Sequence, residues 1–153
     1  GRQLDDDASI MIRMSENVKG NLSISQIATG QENNLTISIY GEKGALHWAQ
    51  ENPNYAKLSK AGSADMIITR GGVIQHEDSF GSIRIPPGHP EGYLEGFAQI
   101  YSDAADILLD HKNKNKLLEL LPNGETGLQI MKFINASVNS SKNNSSWTNL
   151  NAI

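Results

Sequence analysis

Apolar residues alternate with polar ones through the first half of the chain and recur every three or four positions through the second. Ala8, Ile10, Ile12 and Met14 alternate with Ser9, Met11 and Arg13, a period of two that predicts a strand with one apolar face. The polar stretch 16–21 predicts a turn in which Gly20 takes positive φ. Leu22 and Ile24, set between Ser23 and Ser25, predict a second strand that fades near Gly30. Leu35, Ile37 and Ile39 alternate with Thr36, Ser38 and Tyr40 in a third. The turn Gly41-Glu42-Lys43-Gly44 leads into a fourth over 45–50, with Leu46 and Trp48 on one face. Further strands are expected over 55–59, after Asn52-Pro53-Asn54, and over 66–69, before Gly71-Gly72. Connections this short favour hairpins over βαβ crossovers. The opposite faces of the early strands mix Ser, Thr, Arg and Gln with Met11 and Ile27, a surface suited to another sheet as well as to solvent.

The period then changes. Tyr93, Phe97, Ile100, Tyr101, Ala104 and Leu108 recur at helical steps, predicting a helix from Pro90 to about His111 with Glu95, Gln99, Asp103 and Asp106 on its other side. Pro90 suits the first helical position, because its missing N–H has no intrahelical partner, and Glu91 then falls in the first turn. The polar stretch 111–116 ends that helix or joins it to an apolar stretch over 117–121. Pro122 and Asn123 announce a second long helix with the stripe Leu128, Met131, Ile134 and Val138. Trp147 and Leu150 alternate with polar residues as a last edge strand. Strands followed by segregated helices predict an α+β domain, a mainly antiparallel open sheet with long helices packed on one face.

A chain of 153 residues fits one domain with a sizeable core. The formal charge of −4 argues against nucleic-acid and anionic-membrane partners, and no apolar run approaches the ~20 residues of a membrane span. Absence of cysteine removes disulfides, thiolate metal sites and thiol nucleophiles, and fits a reducing, cytoplasmic compartment. The start at GRQLDDD, just before a strand pattern, reads as a cut at a domain boundary of a longer polypeptide.

Candidate chemistry concentrates in Arg84–Phe97, RIPPGHPEGYLEGF. Pro86, Pro87 and Gly88 make a rigid bend that delivers His89 to the mouth of a helix. His89 and Tyr93 are one helical turn apart and can face one small volume, and Glu91 can accept from hydroxyls or complement the helix dipole. Two roles stand open for His89, contact with a sugar or polyol and capping of the loop. The other histidines, His47 in a strand, His76 in a polar loop and His111 near a helix end, form no compact metal-ligand pattern, and no metal site is expected. No GxSxG, GxGxxG or Walker A sequence occurs; Gly41–Gly44 reads as a hairpin turn.

In this order, LDDDASIMIRM, NVKGNLSISQIATGQENNLTISIYGEKGALHW, GHPEGYLEGFAQIY and GLQIMKFINASVNSSKNNSSW resemble the C-terminal domain of the Gfo/Idh/MocA oxidoreductases, the glucose-fructose oxidoreductase and inositol dehydrogenase group. The resemblance implies an absent N-terminal Rossmann domain that binds NAD or NADP. It also implies a sheet whose open face builds a homo-oligomer, and a helical side that closes over a sugar or polyol. The family's cofactor glycines, EKP-type lysine motif and catalytic Asp/His helix have no counterparts here and would lie upstream. No catalytic or cofactor-binding residue is therefore assigned; residues 1–153 are expected to form a substrate and oligomerisation domain, inactive alone as a dehydrogenase. His89, Tyr93 and Glu91 are its substrate-binding candidates. The competing reading is a stand-alone carbohydrate-binding or protein-interaction module, which would need aromatic platforms that a chain with so few aromatics supplies poorly.

Overall fold

The computed structural model describes residues 3–73, 76–109 and 114–152 and is α+β, with antiparallel strands first and helices after them. The chain divides into two compact units, one of residues 1–30 and 118–153 and the other of residues 31–117.

In the first unit, β1 (Asp7–Arg13) and β2 (Lys19–Ser25) form an antiparallel hairpin. Its register sets Ala8 opposite Ile24, Ile10 opposite Leu22 and Ile12 opposite Gly20, so the apolar residues share one face as the alternation predicts. The tight bend differs from expectation: Gly20 lies inside β2, and the left-handed conformations fall on Glu16 and Asn17. A Cβ at Gly20 would lie in ordinary contact with Met14 and Ile12, at 3.8 and 3.9 Å, so neither the turn nor its neighbours require glycine there. The long C-terminal helix spans Gly124–Lys142 and starts at Asn123, whose Oδ1 accepts from the Thr126 N–H at 3.0 Å. Its best-covered position is Ala136, whereas Leu128, Met131 and Ile134 of the expected stripe are exposed. Trp147 is not in a strand. Its ring lies under the Arg13 guanidinium, 4.0 Å from the centroid, and a 3-10 turn over Leu150–Ala152 follows.

The second unit is a four-stranded meander, β3 (Thr36–Gly41), β4 (Gly44–Ala49), β5 (Tyr55–Lys60) and β6 (Met66–Thr69), each antiparallel to the next. Among the described residues the strands pair as a two-stranded ladder in the first unit and a four-stranded one in the second. In the meander, Ile37–Trp48, Ile39–Leu46, Leu46–Leu58 and Leu58–Met66 are register pairs, which puts these apolar residues on one face. Ser38, His47 and Lys57 take the other face, with Nδ1 of His47 2.8 Å from the Ser38 hydroxyl.

Beyond β6, a 3-10 helix over Glu77–Ser82, for which the sequence offered no sign, is capped by His76, whose Nδ1 accepts from the Asp78 N–H. Helix α1 follows at Tyr93–Leu108, and a shorter helix, α2, spans Lys114–Leu120; the C-terminal helix is α3. His111 lies outside the described residues. Along α1 the periodicity is right but the apolar stripe is exposed, including Tyr93, Phe97, Ile100, Tyr101 and Leu108. Its polar edge, with Glu95, Gln99, Ser102 and Asp103, is the half-buried one.

Candidate functional site

Pro86, Pro87, Gly88 and His89 form a β-turn closed by the His89 N–H donating to the Pro86 carbonyl at 3.3 Å. Proline at the second position presets φ, and Gly88 at the third has φ +86°, the combination a type II turn requires. The bend that the sequence implies is therefore present.

Arg70, one residue past β6, holds this loop. Its Nε donates to Oδ1 of Asn54 at 2.9 Å, and Nη1 donates to the Ile85 carbonyl at 2.9 Å. Nη2 donates to the carbonyls of Pro86 and His89, at 3.3 and 2.7 Å. Nη1 also lies 2.5 Å from Oε2 of Glu91, an ion pair rather than an aligned hydrogen bond. Four of the five N–H donors of the guanidinium thus donate to protein acceptors, and its charge is paired with Glu91. Glu91 is 7% exposed, and its Oε1 accepts from the Arg84 backbone N–H at 2.8 Å. The Arg84 side chain continues the frame, donating from Nη2 to the Ser102 hydroxyl on α1 at 2.7 Å.

These bonds explain where the helix begins. Pro90 is not its first residue; the N-cap is Gly92, and Pro90 and Glu91 remain in the loop. The Glu91 N–H is taken by Oδ1 of Asn54 and its carboxylate by Arg70 and Arg84, so tertiary partners hold it out of the first turn. The first-turn acid is Glu95, whose Oε2 accepts from the Gly92 N–H at 2.9 Å, half of a capping box. That backbone donor, then the Glu95 N–H, then the charges of Arg70 and Arg84 hold the Glu95 carboxyl below the usual glutamate range. A depressed folded-state pKa contributes stability above the ordinary glutamate range, and that contribution is lost as pH falls through the lowered value. Glu95→Gln keeps an oxygen for Gly92 without titrating. The stability gap between wild type and this variant should therefore be constant near neutrality and close on acidification; a gap independent of pH in urea unfolding would contradict the assignment.

Gly71 lets the loop approach. Its φ is +71°, and a Cβ there would sit 2.9 Å from Cγ of Pro87. Gly71→Ala combines left-handed strain with this overlap and is expected to lose at least about 1–2 kcal/mol in urea unfolding.

Beside the turn lies a cleft of about 320 Å³ lined by Asn52, Asn54, Tyr55, Thr69, Arg70 and the Gly88–Pro90 segment. Of the three candidates, the structure brings only His89 to this cleft. Glu91 is turned inward beneath it, as a support. Tyr93 is exposed on α1, outside the lining, with its ring 4.9 Å from that of Phe97 at 54°. Sequence reasoning missed Arg70 and Asn54, the residues that build the site; the only local signs were turn-forming neighbours, Pro53 and Gly71-Gly72.

Gly41 and Gly44 pair across a two-residue hairpin between β3 and β4, so this turn leads into a strand, as the sequence predicts. Among the described residues, no three His, Asp or Glu side chains gather as a metal-binding group, and no helix is long and apolar enough to cross a membrane.

A family model described as "Oxidoreductase family, C-terminal alpha/beta domain" matches residues 1–150. The chain is 26% identical over 148 residues to the uncharacterized oxidoreductase YfiI of Bacillus subtilis (strain 168), covering 94% of this chain and 37% of that protein. An oxidoreductase from Sinorhizobium meliloti has a similar crystal structure, with a TM-score of 0.89 and 40% identity over 97% of this chain and 42% of that one. An inositol dehydrogenase homolog from Azotobacter vinelandii, complexed with NADH and myo-inositol, shares the fold with a TM-score of 0.85 at 23% identity, over 96% of this chain and 40% of that one. The chain thus spans about two fifths of the length of each.

Proposed function

The chain belongs to the C-terminal alpha/beta domain family of oxidoreductases, and on that footing we propose that it is the substrate-binding and oligomerisation domain of an NAD(P)-dependent sugar or polyol oxidoreductase. The observation that carries the substrate half is the cleft beside His89. Its lining offers amide, hydroxyl and imidazole groups, while its one cation, Arg70, is consumed by protein acceptors. Such a wall favours an uncharged, hydroxyl-rich ligand over a phosphate or carboxylate. The inositol dehydrogenase homolog, complexed with NADH and myo-inositol, lends support to a cyclic polyol and a nicotinamide cofactor. The cofactor and the reacting acid–base groups are assigned to the remainder of a longer polypeptide, because the turn most like a phosphate loop, Gly41–Gly44, leads into a strand and not a helix N-terminus. In this reading His89 contacts substrate, Glu91 supports the loop that carries His89, and Tyr93 flanks the entrance. The absence of cysteine accords with action in the cytoplasm.

The whole polypeptide, assayed with NAD and NADP against a panel of sugars and polyols, should reduce the nucleotide with at least one of them. Activity with none would sink the proposal. The oligomerisation half rests on the meander face that bears Ser38, Tyr40, His47, Lys57 and Ile67, mixed in character and including the exposed Tyr40 and Ile67. The chain is expected to self-associate in solution, and a strictly monomeric mass by light scattering at high concentration would count against this half.

A further inference from the structure

We propose that His89 is held as its Nδ1–H tautomer, so that the cleft meets a ligand with a bare Nε2 acceptor and, from Asn54, an Nδ2 donor. The inference rests on reading this cleft as the substrate wall. Nδ1 of His89 lies 3.3 Å from the Pro86 carbonyl oxygen. A carbonyl only accepts, so the proton in this contact belongs to Nδ1. Neutral imidazole carries one N–H, which leaves the lone pair on Nε2.

The same logic orients Asn54. Its Oδ1 receives Nε–H of Arg70 at 2.9 Å and the backbone N–H of Glu91 at 3.1 Å. The flipped amide would set donors against donors, so these two partners fix which end is which. Nδ2 has no hydrogen-bond partner among the described residues, and Asn54 lines the cleft.

A hydroxyl both donates and accepts. Neighbouring hydroxyls of a cyclic polyol can therefore meet both groups, one donating to Nε2 of His89 and the other accepting from Nδ2 of Asn54. A ketone or an O-methyl ether at the first position cannot donate and leaves Nε2 unmet. The cleft reads the alcohol form of its ligand at that position, and Arg70 is the positioning residue that holds both halves of the reader. It takes the His89 carbonyl with one arm and Oδ1 of Asn54 with another.

The tautomer is tested without any enzyme assay. Long-range 1H–15N spectra of the chain labelled with 15N-histidine, at a pH of about 8 where a free imidazole is neutral, should show His89 protonated at Nδ1 and bare at Nε2. Its signals are assigned by their loss in His89→Asn. The Nε2–H pattern would overturn the proposal. In the whole oxidoreductase, Asn54→Asp keeps an acceptor for Arg70 and Glu91 but removes the donor. The KM for myo-inositol should rise about tenfold, as for one lost hydrogen bond, with kcat and Tm little changed. An unchanged KM overturns the donor role. If the wild type turns over no polyol, it is the proposed function that fails, and the His89 spectrum still decides the tautomer.

Discussion

Replacing Arg70 with methionine is expected to destabilise the residue 31–117 unit by about 3–5 kcal/mol, the range for breaking a buried ion pair by removing one partner. The side chains of Arg70 and Glu91 are 16% and 5% exposed, so the ion pair is largely shielded from water, while the Nη2 bonds to the Pro86 and His89 carbonyls lie at the surface. Three loop carbonyls and the Asn54 amide oxygen lose a donor at once, and one carboxylate oxygen loses its counter-charge. The carboxylate matters most, since an ionised group left buried and unpaired is the costliest of these losses. Adding Glu91→Gln to Arg70→Met should recover part of the loss, because neutral glutamine can still accept from the Arg84 N–H. The measurement is urea unfolding followed by Trp48 fluorescence in a Trp147→Phe background, which reports on this unit alone. A loss below about 1 kcal/mol, in the range of an exposed ion pair, would show that the frame is not what holds the loop.

The same frame marks how far the sequence can be read. Period-two alternation located the first three strands of the described residues and turn breakers bounded the last two, and the register puts Leu46 and Trp48 on one face as expected. The same reading also expected a strand at Trp147 and Leu150, where there is none. Such alternation is local, and each strand carries its own copy of the signal. Which face of a helix becomes covered is a different matter. The stripe Tyr93, Phe97, Ile100 and Tyr101 has the right spacing, but Arg84 reaches the opposite edge at Ser102, and α1 turns its polar side inward. Periodicity states that a helix has two faces and is silent on which one meets the loop. The Arg70 frame was beyond reach for a similar reason. Arg70 meets Asn54 and Ile85 across 16 and 15 residues, and Asn54 meets Glu91 across 37. Nothing in a lone arginine after a strand announces five acceptors converging on it. The start of α1 shows the consequence, because Pro90 and Glu91 satisfy every local rule for a helix N-terminus and yet are held in the loop by those distant partners.

His89→Ala separates the two roles that the sequence left open for this residue. If His89 only caps the turn, its loss should be nearly silent in catalysis. The Pro86–His89 backbone bond, the positive φ of Gly88 and the Arg70 contact to the His89 carbonyl all remain without the imidazole. The fold should accordingly lose no more than about 1 kcal/mol, the worth of one exposed side-chain hydrogen bond. If instead Nε2 accepts from a substrate hydroxyl, kcat/KM of the whole oxidoreductase should fall about 10–100-fold. The affinity for the nicotinamide nucleotide should stay constant, since no part of this cleft is suited to hold it. His89→Gln and His89→Asn refine the result. Glutamine places its amide oxygen near the position of Nε2 and should restore part of the lost activity. Asparagine reaches only as far as Nδ1, keeps the Pro86 contact and should remain as impaired as alanine. Equal activity in all three variants and the wild type would return His89 to the turn and leave the cleft without its acceptor.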